Sequence, residues 1–230
     1  MVPIQGFYHY RTDLGEGTRT GVVFAACRGT CTASCTPFPL LPSVRESLWE
    51  ENEEKNSYSA HDLASYLLDE QRWCATQKLG ITFLGREPLR HDRFCLEVGR
   101  ILKEKKMSLQ IWTCGDVERH VAVSVGEVCD LFVVNFHTPD QEVLKKLCPF
   151  YSLFGVESTL REMCRKEIPF RIRIPVIAGI NSEIPDRLAE FCAEYSSVKS
   201  IMLDFSRSLL DEEMQREYRN RFLERGLMLY

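Results

Sequence analysis

The sequence predicts an α/β fold, specifically a partial (β/α)6 barrel, and three observations predict it. Strand-like and helix-like segments alternate along most of the chain, which implies parallel strands joined by right-handed crossovers. The chain has 230 residues, room for about six such units rather than the eight of a closed barrel. The residues of unusual chemistry fall where strands should end, the rim on which sites collect in folds of this kind.

The elements follow in order. Val2 to Tyr10 opens the chain with β-rich composition, Asp13 to Gly17 makes a turn, and Gly21 to Ala25 is apolar enough for a buried strand. A loop bearing Cys27, Cys31 and Cys35 comes next, then an acidic stretch from Glu46 to Ser59 that reads as an exposed linker. Ala60 to Ala75 places Leu63, Leu67 and Leu68 on one helical face. Strand and helix then alternate: Leu79 to Leu84 with Asp92 to Lys105, Ser108 to Thr113 with Val117 to Val125, and Leu131 to Phe136 with Asp140 to Leu147. Glu157 to Lys166 reads as a helix and Phe170 to Ile177 as a strand. Pro185 to Tyr195 (helix), Val198 to Phe205 (strand) and Asp211 to Glu224 (helix) close the series. One domain over residues 1–230 is expected.

With 44% hydrophobic and 27% charged residues, the chain can bury one substantial core. Its net charge of −4, with scattered basic residues, offers no broad positive field, so nucleic acid is not an expected partner. No apolar run approaches the roughly 20 residues that span a bilayer, and the opening residues lack a secretory pattern. The expectation is a cytoplasmic protein with no membrane partner.

Ten cysteines would suggest disulfides in a secreted chain, but here reduced thiols are expected. Cys74, Cys95, Cys114, Cys129, Cys148, Cys164 and Cys192 are far apart and read as small buried hydrophobes. Cys27, Cys31 and Cys35 instead share nine residues around Gly29, with Pro37 and Pro39 just beyond. Such a cluster reads as a metal-ligating loop. A zinc site there would need a fourth ligand, such as His9 or His61.

Thr12 to Arg19 resembles the motif T-x-D-G-P-G-x-R, and Ile81 to Leu89 resembles V-T-F-S-G-G-E-P-L. Ile111 to Gly115 resembles I-D-T-S-G, and Asp130 to His137 stands at D-L-x-L-x-D-x-K. Arg171 to Gly179 is similar to an I-R-x-x-x-x-P-G strand. In order and register, along nearly the whole chain, the five resemble the motifs of the glycyl-radical-enzyme activating enzymes, a group of the radical S-adenosylmethionine superfamily exemplified by the pyruvate formate-lyase activating enzyme.

The resemblance implies that Cys27, Cys31 and Cys35 hold three irons of a [4Fe–4S] cluster, thiolate being the soft anionic ligand such clusters use. The fourth iron would take S-adenosylmethionine, cleaved reductively to methionine and a 5′-deoxyadenosyl radical. It implies that Gly85 and Glu87 meet the methionine amino group, through close backbone approach and through charge. Arg173 would face the carboxylate or ribose, and Thr113, Asn135 and His137 would complete the cofactor-binding set. No side chain is assigned as catalytic. The implied partners are a glycyl radical enzyme and an electron donor such as flavodoxin or ferredoxin.

Several positions depart from the family pattern. The cysteine spacing is C-x3-C-x3-C rather than C-x3-C-x2-C, and Ser34 replaces the aromatic residue before the third cysteine. On a helix these thiols would spread over about 12 Å, so the loop must fold back to hold one cluster. Arg86 replaces the second glycine of G-G-E-P, Trp112 stands at an aspartate position, and Asn135 and His137 replace D-x-K. With two carboxylates gone, the family's monovalent cation is not expected. Ser206 stands at the histidine of the late L-P-Y-H motif, and the accessory ferredoxin insert is missing.

Three functions follow: an activase that installs a glycyl radical on a partner enzyme, a diverged radical enzyme with altered cleavage or a small-molecule substrate, and a non-catalytic metal-binding scaffold or regulatory relative.

Overall fold

A computed structural model describes residues 1–25, 56–73 and 78–230. The cysteine loop and the acidic run through Glu54 lie outside the described residues, as does Cys74. By internal contacts the chain divides into two compact units. Among the described residues the first comprises 1–25, 56–73, 78–113 and 120–131, and the second 114–119 and 132–230.

In the first unit, β1 (Val2–Arg11) pairs antiparallel with β2 (Arg19–Phe24) and with the short β3 (Ser57–Tyr58). β2 then pairs in parallel with β4 (Gly80–Gly85), and β4 with β5 (Leu109–Thr113). Every residue of β2, β4 and β5 is buried, the signature of parallel strands covered on both faces. Among the described residues, three α-helices belong to this unit: α1 (Ala60–Trp73), α2 (Asp92–Glu104) and α3 (Arg119–Gly126), the last beginning at the junction residue Arg119. α2 buries Phe94, Cys95, Val98, Gly99 and Leu102, one stripe at helical spacing. Gly99 lets that stripe come close, since a Cβ there would lie 2.5 Å from Val128 Cγ2.

In the second unit, β6 (Leu131–Asn135), β7 (Phe170–Ile177) and β8 (Val198–Arg207) form a parallel set. The helices are α4 (Gln141–Leu147), α5 (Leu153–Arg165), α6 (Pro185–Ala193) and α7 (Glu212–Leu223). Asp140, Ser152 and Asp211 cap three of them by accepting backbone N–H bonds, each cap contributing about 1 kcal/mol. Phe136 stacks on Phe191 with ring centroids 3.9 Å apart, seating α6 against the end of β6.

The α/β class matches the expectation, with three differences of detail. Ser57–Tyr58 is a strand rather than linker, held by pairing to Val2 and Pro3. α5 begins at Leu153 instead of Glu157 because the Ser152 side chain accepts from Gly155 N and the Gln141 side chain accepts from Leu153 N. Of the described scattered cysteines, Cys95, Cys129 and Cys192 are buried, but Cys114, Cys148 and Cys164 are partly exposed, since they lie at element ends or on an outer helix face.

Candidate cofactor site

In the first unit the residues of interest gather at the end of β4. Gly85 has φ +105°, and a Cβ there would meet the Phe24 carbonyl oxygen at 2.7 Å and its nitrogen at 2.8 Å. Only glycine fits, because both the torsion and the contact with rigid backbone exclude a side chain. Past it the chain turns into a 3-10 helix, Pro88–His91, capped by Glu87.

Glu87 is only 3% exposed. Its Oε1 accepts from Leu89 N at 3.1 Å and from Thr113 Oγ1 at 2.9 Å, so the last residue of β5 fixes a buried carboxylate. Its charge reaches Cys95: burial first, and then the carboxylate, push that thiol well above its ordinary range. A buried carboxylate is the kind of acceptor that a protonated α-amino group pairs with. Trp112, where the motif has aspartate, is buried.

Arg19, the last residue of the first matched motif, braces the opposite end of the strands. It is 4% exposed and donates to Thr82 Oγ1 at 2.7 Å, Ser108 Oγ at 3.0 Å, and the carbonyls of Ile81 at 2.5 Å and Glu16 at 3.3 Å. Its role is structural, and its place in the motif was the only signal of it.

In the second unit β6, β7 and β8 bring a polar triad onto one sheet face. Asn135 pairs in register with Arg173, and Asp204 pairs with Pro175, two residues beyond Arg173 and so on the same face. Arg173 is 1% exposed. Its Nη1 donates to Asn135 Oδ1 at 2.9 Å, and its Nη2 bonds and ion-pairs with Asp204 Oδ2. Asp204 Oδ1 also accepts from Ser206 N at 3.0 Å. Burial pushes the Asp204 carboxyl up, but Arg173 and the Ser206 N–H outweigh it and hold it below its ordinary range.

His137, just past β6, is 3% exposed, and its carbonyl accepts from Asn181 Nδ2 at 2.8 Å. The Tyr151 hydroxyl lies between two other strand-end carbonyls, donating to Cys114 O and lying 3.3 Å from Asn135 O.

Within each unit, then, the structure joins Gly85, Glu87 and Thr113, and separately Asn135 and Arg173 with His137 close by in sequence. Cys27, Cys31 and Cys35 lie outside the described residues, and among the described residues no group of three or more His, Cys, Asp or Glu could hold a metal ion. Sequence reasoning missed Asp204, whose partner lies on another strand, and gave Asn181 no role. An acid within an apolar strand was the only signal of Asp204.

No protein-family model and no curated protein matches the chain. Solved structures do. A domain of pyruvate-formate lyase-activating enzyme from Bacteroides vulgatus superposes with a TM-score of 0.60 at 23% identity, covering 66% of this chain and 97% of that one. Streptococcus suis SuiB bound to S-adenosylmethionine gives 0.60 at 15% identity, over 76% of this chain and 41% of SuiB. The enzyme anSMEcpe, with bound AdoMet and a Cp18Cys peptide, gives 0.55 at 14% identity, over 84% of this chain and 55% of its own. The chain thus spans about half or less of the latter two. It shares the α/β fold of these proteins.

Proposed function

We propose that this chain is a radical S-adenosylmethionine enzyme and that it installs a glycyl radical on a partner enzyme. The end of β4 supports this reading most strongly: Gly85, with no room for a Cβ, stands two residues before a buried carboxylate that Thr113 orients. When bound on Cys27, Cys31 and Cys35, a reduced [4Fe–4S] cluster supplies the electron that cleaves S-adenosylmethionine to methionine and a 5′-deoxyadenosyl radical.

The chain's own residues bind and orient. Glu87 takes the methionine ammonium, and Thr113 keeps its carboxylate from turning away. Gly85 lets the chain pass close against Phe24 and turn towards Glu87. Arg173, held by Asn135 and Asp204, faces the carboxylate or ribose, and His137 completes the cofactor side. The burial of these groups strengthens each polar contact.

The partner reading rests on motif order and on the likeness to the activating-enzyme domain. A flavodoxin or ferredoxin serves as electron donor. A polypeptide substrate also accords with anSMEcpe, solved with a bound peptide. No helix among the described residues is long and apolar enough to cross a membrane, and a cytoplasmic setting suits the oxygen-sensitive cluster.

The test is anaerobic reconstitution with iron and sulfide, followed by reduction with S-adenosylmethionine present. Release of 5′-deoxyadenosine supports the cleavage. Glycyl-radical signal in a co-incubated glycyl radical enzyme supports the activase, whereas turnover without any transfer favours a diverged enzyme with another substrate. Metal binding with no nucleoside affinity would leave only a scaffold.

A further inference from the structure

Asn181 lies in the loop after β7, and its side chain is wholly buried. Its Nδ2 donates to His137 O at 2.8 Å and to Pro175 O at 2.9 Å, while its Oδ1 accepts from Ile177 N at 2.7 Å. The amide's orientation follows from these partners, since the reverse would set its oxygen against two carbonyls. Its backbone is held as well: Asn181 N donates to Ile177 O at 3.2 Å, and the Tyr218 hydroxyl donates to Asn181 O at 3.1 Å. One side chain therefore ties the end of β6 to the end of β7, the two strands that carry Asn135, His137 and Arg173.

From this we infer that Asn181 is a positioning residue for the cofactor site: its two N–H bonds set where the His137 strand end lies against the Arg173 strand. The inference rests on the proposed cofactor reading. Each Asn181 Nδ2 proton serves one of the two carbonyls. Loss of the donor removes the bonds to His137 O and Pro175 O while the neighbouring ladder bond, Phe136 N to Arg173 O at 2.8 Å, remains. The site therefore loosens without unfolding.

The test uses anaerobically reconstituted full chain and the dissociation constant of S-adenosylmethionine, measured by equilibrium dialysis between about pH 6 and 8.5 for wild type, Asn181→Asp and Asn181→Leu. The aspartate keeps the acceptor for Ile177 N. Ionised, it opposes two carbonyls; protonated, it donates to one of them, and burial raises the pH at which it ionises. The titratable groups around it are His137 at the end of β6, Tyr218 on α7 and, beyond Tyr218, Cys192 on α6, with Glu183 and Asp186 following in sequence. Burial pushes Tyr218 and Cys192 up out of this range, and the others are common to all three proteins.

The ratio of variant to wild-type affinity removes those shared titrations. For Asn181→Asp the expected deficit is about tenfold at the alkaline end, one lost buried bond's worth, shrinking as pH falls. Asn181→Leu should be weak at every pH. Wild-type affinity in either variant at pH 8.5, or a deficit in Asn181→Asp that does not change with pH, would overturn the inference. Failure of the wild type to bind the cofactor would instead sink the proposed function, and this inference with it.

Discussion

Asn135 and Arg173 stand opposite one another in the parallel register of β6 and β7, and Arg173 Nη1 donates to Asn135 Oδ1 at 2.9 Å. The guanidinium's other end pairs with Asp204 on β8. Three adjacent strands thus each contribute one polar side chain to the same face, and the positive charge is matched where it is buried.

That pairing predicts a pH-dependent stability. The folded pKa of Asp204 lies below its unfolded value, so its stabilisation is complete above the ordinary carboxylate range and is lost as pH falls through it. Asp204→Asn should cost about 3 kcal/mol at pH 7, the cost of removing the carboxylate from a buried ion pair. The gap between wild type and variant should narrow below about pH 4. Urea denaturation at several pH values measures it, and a gap unchanged by acid would refute the assignment.

Glycines on the two rims should differ. Gly85→Ala forces a Cβ against the Phe24 backbone at φ +105°, for a loss of about 2–4 kcal/mol. Gly179 has φ +70° with nothing within 4 Å of a Cβ, so alanine there should cost only about 1 kcal/mol. Equal losses in thermal unfolding would show that contact at Gly85 is relieved by movement of the strand.

Glu87→Gln separates charge from shape. The amide oxygen can still accept from Leu89 N and Thr113 Oγ1, so stability should change by about 1 kcal/mol or less. Affinity for S-adenosylmethionine should fall at least about tenfold with the loss of the charge. Unaltered affinity would remove Glu87 from the proposed cofactor set.

Thiol reactivity should follow burial. Burial raises the pKa of Cys95, Cys129 and Cys192, which keeps them protonated and inert. Among the described cysteines, a maleimide reagent at neutral pH should therefore modify Cys114, Cys148 or Cys164 before Cys95, Cys129 and Cys192, as peptide mass spectrometry would reveal. Early labelling of Cys95 would mean that α2 opens readily from the strands.

Strands were the most legible part of the sequence. Phe170 to Ile177 is legible to the residue because apolar, mostly β-branched residues alternate with Arg171 and Arg173 and then run on to Ile177. Ser57–Tyr58 was not, since two residues carry no period and their pairing is with Val2 and Pro3, far away in the chain. At the site, Gly85 and Glu87 were legible as a glycine and an acid inside a matched motif. Asp204 was not, because its significance comes from Arg173 on the next strand. The role of Asn181 was not legible either, because its three side-chain bonds reach backbone atoms, which have no sequence signature.

The most direct test of the central claim is quantification of methionine and 5′-deoxyadenosine from anaerobically reconstituted protein given dithionite and S-adenosylmethionine, beside a variant with Cys27, Cys31 and Cys35 all changed to serine. The account predicts equimolar products from the wild type, with iron and sulfide bound, and neither products nor cluster in the variant. Wild-type protein that binds no iron and sulfide, or a variant that retains both, would contradict it.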